Sequence, residues 1–459
     1  MEGASPRDGG TRFRLFPRPP YVHPDWLPEP VSVTTPTGLV GPGPSDDRMY
    51  VINPIGKRRS YGVNLGPYGT PYLDLPPWEG SIQRPVQPTS DGHFDHVPTD
   101  APEFAEVHTF GAIRFVLDLW EHYFGRRIEW HFARDFHRLE IVMLPELDNA
   151  RAGYGFIEVG ADHTEDGAVL PFALNFDVLA HELGHLIIYS TIGIPNPAET
   201  EGEYFGFHEC AADATALIAA GHFTTLIERL LEDTHGNLYT FNELDRFAEL
   251  SATTQIRLAS NSVKMSQFAP GWTDEHELSE PLTGALFDIF VDIFQENLVE
   301  RGVIAREIAD LADRVERNPA FEPTIQADFD AAFPRARSAF HEALVEARDY
   351  MGVLLAETWK LLSPNRLRYI NVAAALLDAD QRLSGGRYRN EIVESVEWRE
   401  IGRVRVGPRL KPPDRTSHSV SPRTIVPEIR PRLPHMTYYE RALIAGRRRS
   451  ELHRGRDNG

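Results

Sequence analysis

In VLAHELGHLIIYS, residues 178–190, His181 and His185 stand four residues apart and Glu182 follows the first of them. On an α-helix, positions i and i+4 share a face, so the two imidazoles can meet at one point in space. Zinc takes imidazole nitrogen readily, and a catalytic zinc needs three protein ligands plus an open position for water. Glu182 is placed to act on that water as a general base rather than to bind the metal. The flanking Ala180, Leu183, Gly184, Leu186 and Ile187 carry no charge, as suits a helix buried around a metal. A core helix with two hydrogen-bonded histidines would look the same over this stretch, so the pattern needs a third ligand.

FGFHECAAD, residues 205–213, offers one, because Glu209 and Asp213 are again four apart on an expected helical face. Glu209 would complete a His/His/Glu set. Asp213, one turn on, can accept the free N–H of a ligating histidine and fix its tautomer. His208 competes with Glu209 for the third position, but it faces about 100° away on a helix and lacks a paired aspartate. Cys210 points along another face and suits a small buried position. His108, His122, His131 and His137 have no spacing that pairs them as ligands.

These residues need elements to hold them. In EFAEVHTFGAIRFVLDLWEHYFG, Phe104, Val107, Phe110, Ile113, Val116, Leu117, Trp120 and Phe124 recur at helical spacing, which predicts a helix stopped by Gly125. LEIVMLP, from Leu139, reads as a strand, and GYGFIEVG, from Gly153, as a second. The HELGH helix can start at Asn175 or Asp177 and ends before Gly193 and Pro195. A further helix is expected over His208–Ala220. Three later stretches, SEPLTGALFDIFVDIFQENLVE, FHEALVEARDYMGVLLAETWKLL and RYINVAAALLDADQRL, make the second half mostly helical.

HELGH with a downstream E-x-x-x-D resembles the gluzincin metallopeptidases, and its surroundings resemble the thermolysin-like group in particular. The resemblance covers roughly Glu103–Ile401. It implies an α+β fold of two lobes, a mixed α/β N-terminal lobe over 101–192 carrying an edge strand and the HExxH helix, and a mostly helical C-terminal lobe over 193–403. Extended segments flank them, a Pro/Gly-rich region over 1–100 and a basic Pro/Arg-rich tail over 404–459. Carried over residue by residue, it implies one Zn2+ per chain on His181, His185 and Glu209, with Glu182 as base. Asp213 and the helix-start Asp177 would support the ligands. Asn149 and Ala150, in DNARAGYGFIEVG, would hydrogen-bond substrate backbone along the edge strand. WTDEHELSEPLTGALFDIF would bring His276 to the oxyanion, oriented by Asp274 or Glu275, near Ser279 and Gly284. Tyr204, in the loop between His185 and Glu209, is the candidate for the family's oxyanion tyrosine, while Tyr189 ends the motif helix. The acidic clusters that bind structural calcium in that group are not recognisable. The activity implied is endopeptidase cleavage of a peptide or protein. The alternative is a protein that keeps the fold as a binding or scaffold module with weak or no turnover.

Composition bounds the partners. A chain of 459 residues, 41% hydrophobic and 25% charged, suits a globular protein, with no apolar run of membrane-spanning length. The N-terminus has no apolar signal core, and the single cysteine excludes an internal disulfide, so a cytoplasmic setting is expected. The net charge is −20, yet residues 401–459 carry 14 Lys/Arg against 5 Asp/Glu, leaving −29 for residues 1–400. An acidic body does not favour nucleic acid. The basic tail could dock on a partner or on that body. One of the two extensions is expected to cover the cleft and keep the site latent, so that deleting residues 1–100 should raise turnover without unfolding the domain.

Overall fold

The computed structural model describes residues 9–65, 70–163, 167–239, 246–247, 257–312 and 319–410. It is a mixed α+β structure whose sheets are small. β1 (Gly10–Leu15) and β2 (Glu29–Pro36) pair antiparallel and pack on α1 (Phe104–Phe124). β3 (Met49–Ile52) leads into a second antiparallel pair, β4 (Gly62–Leu65) and β5 (Pro71–Asp74). The main sheet has the order β3-β6-β8-β7, with β6 at Leu139–Met143, β7 at Ala150–Gly153 and β8 at Phe156–Val159. β6 runs parallel to both β3 and β8 and is buried along its whole length, which explains its unbroken LEIVM run. β7 is antiparallel to β8 and closes the sheet as an edge. The expected single strand GYGFIEVG is therefore a hairpin corner. Gly155, at φ 89°, turns the chain between Gly153 and Phe156 in a conformation that side chains resist.

A short antiparallel pair, β9 (Ala161–His163) and β10 (Val169–Pro171), leads to α2 (Phe176–Thr191). The Asn175 side chain caps α2 by accepting the Val178 N–H at 3.2 Å, which selects the first of the two expected starts. α2 is buried from Phe176 to Tyr189 and touches α1, β7, α3 (Gly202–Ala220) and α7 (Glu322–Leu361). α3 starts six residues earlier than expected, so Tyr204 lies on a helix and not in a loop. The remaining helices are α4 (Thr224–Thr234), α5 (Glu275–Glu300), α6 (Arg306–Ala312), α8 (Tyr369–Ser384) and α9 (Arg389–Trp398). α7 kinks at Ala336, two residues after Pro334, which cannot donate into the helical ladder. Among the described residues no single helix is long and apolar enough to cross a membrane.

One large apolar core joins the N-terminal strands to the helices. Phe13, Leu15, Trp26 and Val33 belong to the same buried cluster as Leu183 and Leu186 of α2. Trp120 of α1 stacks on Trp359 of α7, rings 4.5 Å apart. The described residues from 9 to 100 thus contribute to the core of the body, which argues against segment 1–100 as a removable cover: deleting it would strip these side chains from the core. Residues 407–410 are tied to the body by backbone hydrogen bonds, the Leu410 N–H on the Trp272 carbonyl at 2.7 Å among them. The basic tail from 411 onward lies outside the described residues.

Candidate metal centre

His181 and His185 sit one turn apart on the face of α2 that meets α3. Their Nε2 atoms lie 3.4 and 3.7 Å from the two carboxylate oxygens of Glu209 on α3. Tetrahedral zinc with ligand bonds near 2.1 Å separates its donors by about 3.4 Å, so these three groups fit the ion in both chemistry and spacing. His181, Glu182 and His185 also bring potential ligand atoms within 4.8 Å of one another. Glu182 belongs to that cluster, but its Oε2 accepts the Ala152 N–H, whereas the two Glu209 oxygens face the two ring nitrogens. The two helices can come this near because residue 184 is glycine: a Cβ there would meet the Ala212 Cα at 2.8 Å.

The ring atoms facing away from this point are held too. His181 Nδ1 lies 2.9 Å from Asp213 Oδ1, so the carboxylate accepts the Nδ1–H and the Nε2 lone pair faces Glu209. His185 Nδ1 lies 2.8 Å from His208 Nδ1. His208 is therefore behind His185, on the side away from Glu209, and does not join the ligand set. Burial pushes the His208 imidazole down to about 4, so it is neutral near pH 7. The rings of Tyr189 and Tyr204 pack against it at 4.2 and 5.7 Å between centroids. Tyr204 is buried in that packing on α3, five residues before Glu209 and turned about 140° from it around the helix.

Glu182 reaches the sheet. Its Oε2 accepts the Ala152 N–H at 2.5 Å, tying the carboxylate to the edge strand β7. Ala150 begins that strand, and exposed Asn149 precedes it, its carbonyl accepting the Gly160 N–H at 3.0 Å. Asp177, in the first turn of α2, is buried and bonded to the Arg18 guanidinium at 2.5 Å. Through this pair it anchors the start of the helix.

His276 approaches from the first turn of α5, its Nδ1 2.8 Å from Glu209 Oε2. Its side chain is 45% exposed, so the site opens to solvent on this side. Asp274 does not touch the imidazole through its cap bond: its Oδ1 accepts the His276 backbone N–H at 2.7 Å and caps α5. Glu275 is paired with Arg409, and the Ser279 hydroxyl donates to the His276 carbonyl at 2.7 Å. Burial alone would push the Glu209 carboxyl up. The neighbouring imidazoles of His276 and His185, with the hydrogen bond from His276, instead hold it well below the usual carboxylate range. Glu209 is thus an anion at neutral pH, as a metal ligand must be.

Spacing alone did not reveal three contributors: the His208 support, the Ala152 N–H and Arg18. None of these contacts follows a period within one helix. No family model matches the chain, and no curated protein matches it in sequence. Among solved structures it resembles the precursor of protealysin, a metalloproteinase from Serratia proteamaculans. The TM-score is 0.43 at 12% identity, over 70% of this chain and 83% of that one.

Proposed function

We propose that this chain is a zinc-dependent metallopeptidase whose strand-bearing N-terminal lobe and helical C-terminal lobe meet along α2. The observation that carries this is the convergence of His181 Nε2, His185 Nε2 and the Glu209 carboxylate, with Glu182 beside them and anchored on an edge strand. His181, His185 and Glu209 would hold zinc, which in such a site polarises a carbonyl and lowers the pKa of water. Glu182 accepts a proton from the attacking water and returns it to the leaving amine. Its bond to the Ala152 N–H keeps the carboxylate in place through both transfers. An extended peptide adds to the outer edge of β7 at its start, where Asn149 and Ala150 can pair with its backbone and demand little of its side chains. His276 donates to the oxyanion. Since its Nδ1–H is already directed at Glu209, this requires a second proton on Nε2. Tyr204, packed on His208, contributes through that packing.

The test is turnover of an unfolded polypeptide by zinc-loaded protein. Wild type should cleave it, and Glu182→Gln should lower the rate by about 10²–10⁴-fold while keeping its zinc. Folded, zinc-loaded wild type that cleaves nothing would leave a binding module on the same fold. Equal rates in both proteins would remove Glu182 from the mechanism.

A further inference from the structure

The two metal-facing histidines are supported by different chemistry, a carboxylate behind His181 and an imidazole behind His185. The His185 and His208 rings are nearly parallel, 13° apart, with centroids at 4.9 Å and Nδ1 atoms at 2.8 Å. Face-to-face packing cannot bring ring atoms inside van der Waals contact of about 3.5 Å. The rings therefore lie edge to edge in nearly one plane, the arrangement of an N–H···N hydrogen bond. Only one proton fits between the two nitrogens.

We propose that His208 is the positioning residue for His185, accepting its Nδ1–H and so turning its Nε2 lone pair to the metal. This rests on the metallopeptidase reading. The assignment fixes both tautomers. If the shared proton belongs to His185, His208 Nδ1 accepts it and carries none of its own, so the proton of that ring sits on Nε2, a buried atom with no hydrogen-bond partner among the described residues. If it belongs to His208, His185 carries its own proton on Nε2 and cannot ligate. Metal uptake thus selects one of two tautomers of the pair. The support is also neutral for an electrostatic reason. Glu182 and Glu209 beside the candidate metal point and Asp213 behind His181 already make three carboxylates, and a fourth anion behind His185 would be buried without a cation of its own.

The experiment measures the zinc dissociation constant, by chelator competition, for wild type, His208→Leu and His208→Gln, each checked for folding by circular dichroism. Leucine removes the acceptor and should weaken zinc about 10–100-fold, and glutamine, a neutral acceptor, should restore most of the loss. Imidazole ¹⁵N spectra of the zinc-loaded wild type should show His185 protonated at Nδ1 and His208 at Nε2. Leucine binding zinc as tightly as wild type, glutamine losing as much as leucine, or His208 protonated at Nδ1 in the loaded protein would each overturn the assignment. Wild type that takes up no zinc would overturn the metallopeptidase reading itself, and this assignment with it.

Discussion

The first turn of α2 and the two turns that follow it face different neighbours. At the start, the contacts come from far away in the chain. Arg18 pairs with Asp177, Asn175 donates to the Tyr21 hydroxyl at 3.4 Å, and His108 bridges the Phe16 N–H and the Ala173 carbonyl at 3.0 and 2.7 Å. Further along, Glu209, His208 and Asp213 all come from one helix, 23–32 residues away for the bonded pairs. Both regions bury titratable groups, but to different ends. At the start of α2 every charge is neutralised in place, by the buried Arg18–Asp177 pair and a neutral histidine. Around His181 and His185 the charges are left converging on a point where a cation would complete them. An anchor and a metal site can be distinguished by that difference alone.

Replacing Arg18 should break the anchor most severely. Arg18 and Asp177 are both at most 3% exposed, so Arg18→Ala leaves a carboxylate buried without its guanidinium. The expected cost is about 3–5 kcal/mol in denaturant unfolding. Arg18→Met with Asp177→Leu should recover much of it, because the pair's own desolvation disappears with it. A loss below about 1 kcal/mol in Arg18→Ala would mean that the N-terminal segment merely lies against α2.

A smaller effect should appear with pH. Burial pushes the His108 imidazole down to about 4, against about 6.5 when unfolded. Between those values the unfolded chain binds the additional proton. Stability therefore falls as pH drops from about 6.5 toward 4 and is fully present above that window. With about 1.4 kcal/mol per pKa unit, His108 supplies at most about 3.5 kcal/mol of this loss. His108→Gln, which keeps a donor and an acceptor, should flatten the dependence of the unfolding midpoint on pH over that range. An unchanged slope would assign the acid sensitivity to other groups, His131 first, which burial pushes down to about 3.

The same contrast explains what the sequence revealed. His181, Glu182, His185, Glu209 and Asp213 follow helical spacing, and a helix converts spacing directly into a shared face, so their grouping could be read before any coordinates. α1 was readable in the same way, down to its stop at Gly125, which takes the left-handed conformation at φ 63°. The start of α3 was not, because Glu201, Gly202 and Glu203 carry no capping or apolar signal and the helix is stabilised by burial against α2 and α5. Arg18 was hidden for a different reason. Its partner lies 159 residues away, and a Pro-rich segment gives no period to follow. His208 was visible as a histidine but misplaced as a competing ligand. The angle about the helix axis separated it from Glu209 correctly, yet could not say that His185 lay in its path.

The central claim is that α2 and α3 together hold one zinc. The most direct measurement is zinc per chain, by elemental analysis, in wild type and Glu209→Ala after the same mild chelator wash. The account predicts about one zinc in wild type and marked loss in the variant. Zinc retained equally by both, or no zinc in folded wild type supplied with the metal, would contradict it.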